Sequence, residues 1–165
     1  MLNTKQIKAG IFGAVFTICG ILLRLFANDL LMSIKMMHHV CIQTEKYNES
    51  LEFYTKILGF ELVSETPNFH KRDFNTWLRL GTFMIELQTG KKGEKLNRRS
   101  SSNEGIVHMC FLVDNVQEEF DRIKRLGYNR FKIKNGEIIY RVEDGYLFKI
   151  KAPEGTEIEI RDLLI

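Results

Sequence analysis

The chain has 165 residues, 44% of them apolar and 27% charged, with only two prolines. That is enough for one ordinary globular domain with a core, and no stretch is low-complexity. The net charge of +3 is confined to residues 1–35, where Lys5, Lys8, Arg24 and Lys35 face Asp29 alone, so the remainder is balanced and carries no electrostatic footprint for nucleic acid.

In chain order, the first feature is an uncharged apolar stretch, Ala9–Leu23, preceded by two lysines and interrupted at Arg24. A membrane span needs roughly 20 apolar residues, and a secretory signal needs small residues at its cleavage site. Three readings compete for residues 1–35: a marginal membrane anchor through residues 9–32, a cleaved signal, or translated sequence upstream of a start at Met32, Met36 or Met37. All three place the segment outside the folded domain, 36–165. The cysteines, Cys19, Cys41 and Cys110, are odd in number and form no CxxC motif. A reducing, cytoplasmic location is expected, with membrane anchoring as the alternative.

The domain reads as two copies of one pattern. His39-Val-Cys-Ile-Gln-Thr leads to a helical stretch ending at Leu58-Gly59, and His108-Met-Cys-Phe-Leu-Val to another ending at Leu126-Gly127. Apolar runs around each histidine predict a strand. Asn48 and Asn115 are the capping candidates. Tyr47, Leu51, Tyr54 and Leu58 mark one helix face; Val116, Phe120 and Ile123 mark the other. Each helix stops at a glycine suited to the left-handed conformation.

Three strand-like runs follow each helix. In the first copy they are expected at about 60–65, 73–80 and 83–88. In the second they are expected at about 129–134, 137–150 (a hairpin around Glu143-Asp144-Gly145) and 156–162. The modules span about 36–90 and 105–165. The polar linker 91–104 holds the one basic run, read as solvated. The fold class is therefore α+β, two paired βαβββ modules forming curved mixed sheets around a cavity.

Side chains alternate along a strand. His39 shares a face with Cys41 and Gln43, and His108 with Cys110. Glu86 lies between Ile85 and Leu87, and Glu159 between Ile158 and Ile160, so both carboxylates are expected on the concave side. His39 to Glu86 spans 47 positions and His108 to Glu159 spans 51. Carboxylates enclosed in a cavity need a partner or a cation. Two His and two Glu suit a six-coordinate divalent ion, with Ni, Co or Zn first and Mn or Fe behind them. His39, Glu86, His108 and Glu159 are the candidate metal ligands. Gln43, Gln88 and Arg161 are candidates for the substrate side. His38 is read as structural or exposed, His70 as a turn residue without a partner at ligand spacing, and Trp77 as core packing, with a place in a substrate pocket as the alternative.

These residues resemble the vicinal-oxygen-chelate, or glyoxalase, family. Ser50-Leu-Glu-Phe-Tyr-Thr-Lys-Ile-Leu-Gly59 is similar to its first helix, Gly105-Ile-Val-His108 to the start of its second module, and Pro153-Glu-Gly-Thr-Glu-Ile-Glu159 to its closing hairpin. All four ligand positions of the glyoxalase I type are filled. The resemblance implies proton transfer through a metal-bound enediolate in the hemithioacetal of methylglyoxal and a thiol, with Glu159 as the base and Glu86 as its partner. Gln43 and Gly90 stand where bacterial glyoxalase I enzymes usually carry the arginine and asparagine that grip the glutathione carboxylate, so the thiol is open. Methylmalonyl-CoA epimerase chemistry and a non-catalytic module binding metal or a small molecule are the alternatives. A homodimer is expected, because the family closes its sites across or beside a two-fold interface. The sequence leaves open whether the modules pair within a chain or between chains.

Overall fold

The computed structural model describes residues 34–98, 100 and 102–163. The apolar stretch discussed above, 9–32, lies outside them. The chain divides at His38/His39, and the unit described below runs from there to the carboxy terminus. Among the described residues no helix is long and apolar enough to cross a membrane.

The first module runs β1 (His39–Thr44), α1 (Tyr47–Glu52), β2 (Glu61–Pro67), β3 (Phe74–Leu80) and β4 (Phe83–Thr89). The second runs β5 (His108–Leu112), α2 (Val116–Arg125), β6 (Tyr140–Val142), β7 (Gly145–Lys151) and β8 (Glu157–Arg161). Each builds a four-stranded sheet of the same topology, β1-β4-β3-β2 and β5-β8-β7-β6. The histidine strand pairs parallel to the glutamate strand, and the remaining pairings are antiparallel. Each module is a βαβββ unit, and the α+β expectation holds.

The apolar faces of the sheets and the inner faces of the helices form the core. Leu78, Ile85 and Leu87 of the first sheet and Phe148, Ile150, Ile158 and Ile160 of the second are buried, as are Tyr54 and Ile123 from the helical segments. Each such side chain contributes about 1.5–3 kcal/mol on burial. The modules join through their helix sides. Phe60 meets Phe111 edge-on, Phe53 meets Tyr128, and Arg122 donates from Nη2 to the Ile57 carbonyl at 2.7 Å. Ser50 Oγ and Tyr54 OH both donate to the Glu154 carboxylate, at 2.9 and 2.7 Å.

Three local expectations are corrected. Asn48 is not a cap, because α1 starts one residue earlier. Tyr47 is drawn into the core, stacked on Phe74, and Lys46 takes the N-cap place without a side-chain bond. Asn115 does cap α2, accepting from the backbone N–H groups of Gln117 and Glu118 at 2.9 and 3.1 Å. Second, α1 continues as a π-helical turn, Phe53–Ile57. The extra residue in that turn lets the adjacent Phe53 and Tyr54 both be buried. Third, 129–134 is no ladder strand. It makes single bridges, Phe131 to Ile150 and Lys134 to Glu137, around the left-handed Asn135-Gly136 turn. The short β6 takes its place against β7. Both helical stretches end at glycines with positive φ, Gly59 at 77° and Gly127 at 86°, where a Cβ would be strained.

Candidate metal centre

Strand register fixes what lies on each concave face. Cys41, Glu86 and Trp77 are paired across β1, β4 and β3, and Gln43, Gln88 and Asn75 form the next row. In the second sheet Cys110, Glu159 and Lys149 are paired across β5, β8 and β7, followed by Leu112, Arg161 and Leu147. Paired residues share a face, so the two rows correspond position by position. The backs of the same strands carry Ile85, Leu87, Ile158 and Ile160 into the core.

The imidazoles reach toward these rows. His39 Nε2 stands 3.5 Å from Glu86 Oε2, and His108 Nε2 stands 3.6 Å from Glu159 Oε2. Both separations are too long for a good hydrogen bond. Two donors each roughly 2.1 Å from one shared ion, at angles between octahedral and tetrahedral, stand about 3.0–3.4 Å apart. The donor types suit a divalent cation, and the observed 3.5 and 3.6 Å are slightly longer than that range, so each pair would close by a few tenths of an ångström on an ion. His108 Nδ1 is buried without an acceptor, so that ring lacks the second-sphere partner that usually orients a ligating histidine.

The geometry divides the four residues into two pairs. Among the described residues no group of three or more His, Cys, Asp or Glu side chains gathers tightly enough to hold an ion. The question the sequence left open, whether the modules pair within a chain or between chains, is thus narrowed: within one chain each module carries its own His–Glu pair and the two pairs do not converge. The physical reason is the packing described above, in which the modules of one chain are joined by helix-side aromatics and the Glu154 hydrogen bonds.

The half-sites differ in charge. Glu159 is 6% exposed. Lys149 Nζ lies 3.2 Å from its Oε2 and 3.1 Å from Glu157 Oε1, and Cys110 Sγ donates to its Oε1 at 3.4 Å. Burial opposes the Lys149 charge, but its bonds to Glu157 and Glu159 outweigh that and hold it above the ordinary lysine value. Across from Glu86 stands Trp77, whose ring meets His39 edge-on with centroids 4.9 Å apart. Trp77 thus lies on the concave face, the alternative to core packing that the sequence offered. Partial burial and then the neighbouring glutamate push both Cys41 and Cys110 up to about 11, so they are thiols at neutral pH.

Of the substrate-side candidates, Gln43 and Gln88 sit one row beyond Glu86, with Gln88 Nε2 donating to Asn75 Oδ1 at 2.6 Å. Arg161 sits one row beyond Glu159, its Nη1 3.8 Å from Glu159 Oε1, and its Nε and Nη2 are buried without hydrogen-bond partners. His38 is exposed, and His70 lies in a turn with φ 46°. Sequence reasoning missed Lys149 and Arg72. The alternation Phe148-Lys149-Ile150-Lys151 could have put Lys149 on the concave face, but its partner follows only from register. Arg72, whose guanidinium donates to the Gln43 amide oxygen and the Thr89 carbonyl, precedes β3 and had no periodic signal. A cavity of about 670 Å³ lies by Arg130, Phe131, Lys132, Lys151 and Glu157 and includes no residue of the rows above. It holds neither His–Glu pair, so the paired side chains outweigh its size as a guide to chemistry. A cleft of about 380 Å³ follows β1 past Cys41 and Gln43.

The sequence pattern of the Glyoxalase/Bleomycin resistance protein/Dioxygenase superfamily matches residues 36–160, and the chain belongs to that family. It is 27% identical over 97 residues to the uncharacterized protein YwkD of Bacillus subtilis (strain 168), covering 58% of this chain and 75% of that one. It is 24% identical over 123 residues to Glyoxylase I 4 of Arabidopsis thaliana, covering 69% and 68%. The crystal structure of a glyoxalase family protein from Enterococcus faecalis superimposes with a TM-score of 0.64 at 25% identity, covering 79% of this chain and all of that one.

Proposed function

We propose that this chain is a divalent-metal-dependent lyase or isomerase of the glyoxalase I type, acting on a small oxygen-bearing substrate. In this reading the first module of one copy and the second module of another complete each centre in a homodimer. The observation that carries it is that one His Nε2–Glu Oε2 relation, at 3.5 and 3.6 Å, is kept in both modules although their neighbouring side chains, Trp77 and Lys149, differ. His39, Glu86, His108 and Glu159 are the proposed ligands. Ni, Co or Zn suits the set, with Mn or Fe behind them.

When bound, the ion supplies a Lewis acid that polarises substrate oxygens. The chain's own groups do the rest. Glu159 is the proposed base for a proton on the carbon beside those oxygens, with Glu86 as its partner across the substrate. Lys149 and the Cys110 thiol fix the Glu159 carboxylate from two sides. Trp77 walls the first half-site and restricts water beside His39.

Metal analysis of the purified protein, followed by a thioester-formation assay with methylglyoxal and a panel of thiols, tests the reading. One ion per chain, with turnover of at least one adduct, supports it. Bound metal without turnover of any adduct, or of methylmalonyl-CoA, points instead to a binding module. Failure to retain a divalent ion contradicts the proposal.

A further inference from the structure

Two pairs of like charges face each other beside β7. Phe131 bridges antiparallel to Ile150. One residue to either side, that register sets Arg130 opposite Lys151 and Lys132 opposite Lys149. The Lys132 N–H donates to the Lys149 carbonyl at 2.8 Å. The Tyr128 hydroxyl accepts from the Lys151 N–H at 2.9 Å and lies 3.0 Å from the Arg130 carbonyl. The backbone thus holds each cation against another.

Like charges directly opposite each other destabilise an antiparallel pair. At Lys132 and Lys149 that cost is offset by Glu157, whose carboxylate meets the first Nζ at 2.7 Å and the second at 3.1 Å. At Arg130 and Lys151 no such carboxylate stands: among the described residues neither forms an ion pair. Both side chains line the cavity of about 670 Å³, which Val107, Phe131 and Ile150 close with apolar surface. Val107 is half exposed there. Small-molecule sites typically span roughly 300–1,000 Å³. The cavity therefore offers two uncompensated cations on one side, an apolar wall on the other, and room for a small ligand.

We infer that Arg130 and Lys151 bind the phosphate of a phosphate monoester whose apolar body rests on Val107 and Phe131. A guanidinium fork takes two phosphate oxygens, and an ammonium takes the third. A phosphate monoester carries close to two negative charges at neutral pH, one for each cation, whereas a sulfate monoester carries one. The site holds neither His–Glu pair and does not depend on the metal reading.

The test is calorimetric titration of the full chain, without added metal, with 1-naphthyl phosphate, 1-naphthyl sulfate and inorganic phosphate. Naphthyl phosphate should bind about tenfold or more tightly than naphthyl sulfate, because both cations are then matched. Inorganic phosphate should bind more weakly than naphthyl phosphate, because it leaves the apolar wall bare. Arg130→Met and Lys151→Met, both at exposed positions, should each lose most of the preference for phosphate over sulfate. Lys92→Met, which removes one charge outside the cavity, should keep it. Equal binding of the two naphthyl esters, binding of neither, or a preference that survives in both Arg130→Met and Lys151→Met overturns the inference. So does an equal loss in Lys92→Met, which would make the effect one of net charge.

Discussion

Lys149 stands across β7 and β8 from Glu159, its Nζ 3.2 Å from Oε2, in the place that Trp77 holds against Glu86. One half-site therefore carries its own monovalent cation against the carboxylate proposed as ligand and base. A divalent ion arriving at Glu159 meets that ammonium at close range, where like charges repel strongly even at an intermediate effective dielectric. Lys149→Met should tighten divalent metal binding on the order of tenfold, read by equilibrium dialysis. Unchanged or weaker binding would mean that Lys149 chiefly holds Glu159 in position.

The bond between modules is the second point of leverage. Glu154, in the β7–β8 turn, accepts from Ser50 and Tyr54, both fully buried on the helical side of the first module. Glu154→Ala leaves two buried hydroxyls without their acceptor and should cost roughly 2–4 kcal/mol in urea unfolding. Glu154→Gln keeps an acceptor and should cost less. Equal losses in the two variants would argue that the carboxylate is not what joins the modules.

Much of this was readable in the sequence. The duplication, both helix-ending glycines, the Asn115 cap and the concave placement of Glu86 and Glu159 follow from period-2 and period-3.6 patterning, which report on local structure. What the sequence did not reveal depends on contacts far apart in the chain. Lys149 meets Glu159 because the Pro153–Gly155 turn sets a register. Arg72 reaches Gln43 through a loop with no periodicity. The split into half-sites reflects how the modules pack, to which neither module's own pattern is sensitive. The misread Asn48 and 129–134 are cases where core demand for Tyr47 and the Asn135-Gly136 turn overrode local propensity.

Alkaline stability follows from the tyrosines. Burial first, and then the hydrogen bond to Glu65, pushes Tyr47 up to about 12, against about 10 in an unfolded chain. The folded value is the higher one, so this contribution is fully present below about pH 10 and is lost as the pH rises toward about 12. The loss is on the order of 2 kcal/mol. Burial and Glu154 raise Tyr54 in the same direction. Thermal unfolding should be flat through neutral pH and decline above about pH 10, and Tyr47→Phe should flatten part of that decline. A decline unchanged in Tyr47→Phe would contradict the assignment.

Pairing of half-sites between copies makes the most exacting demand. A His39→Ala chain keeps His108 and Glu159, and a His108→Ala chain keeps His39 and Glu86. Each homodimer has only broken centres and should lose most of its metal. Unfolding the two variants together and refolding them yields mixed dimers, in which one centre is wholly intact and the other doubly broken. Metal bound per dimer, measured on the isolated mixed species, should return to half the wild-type value. If the mixed dimers bind no more metal than either parent, the centre is not assembled from one module of each copy.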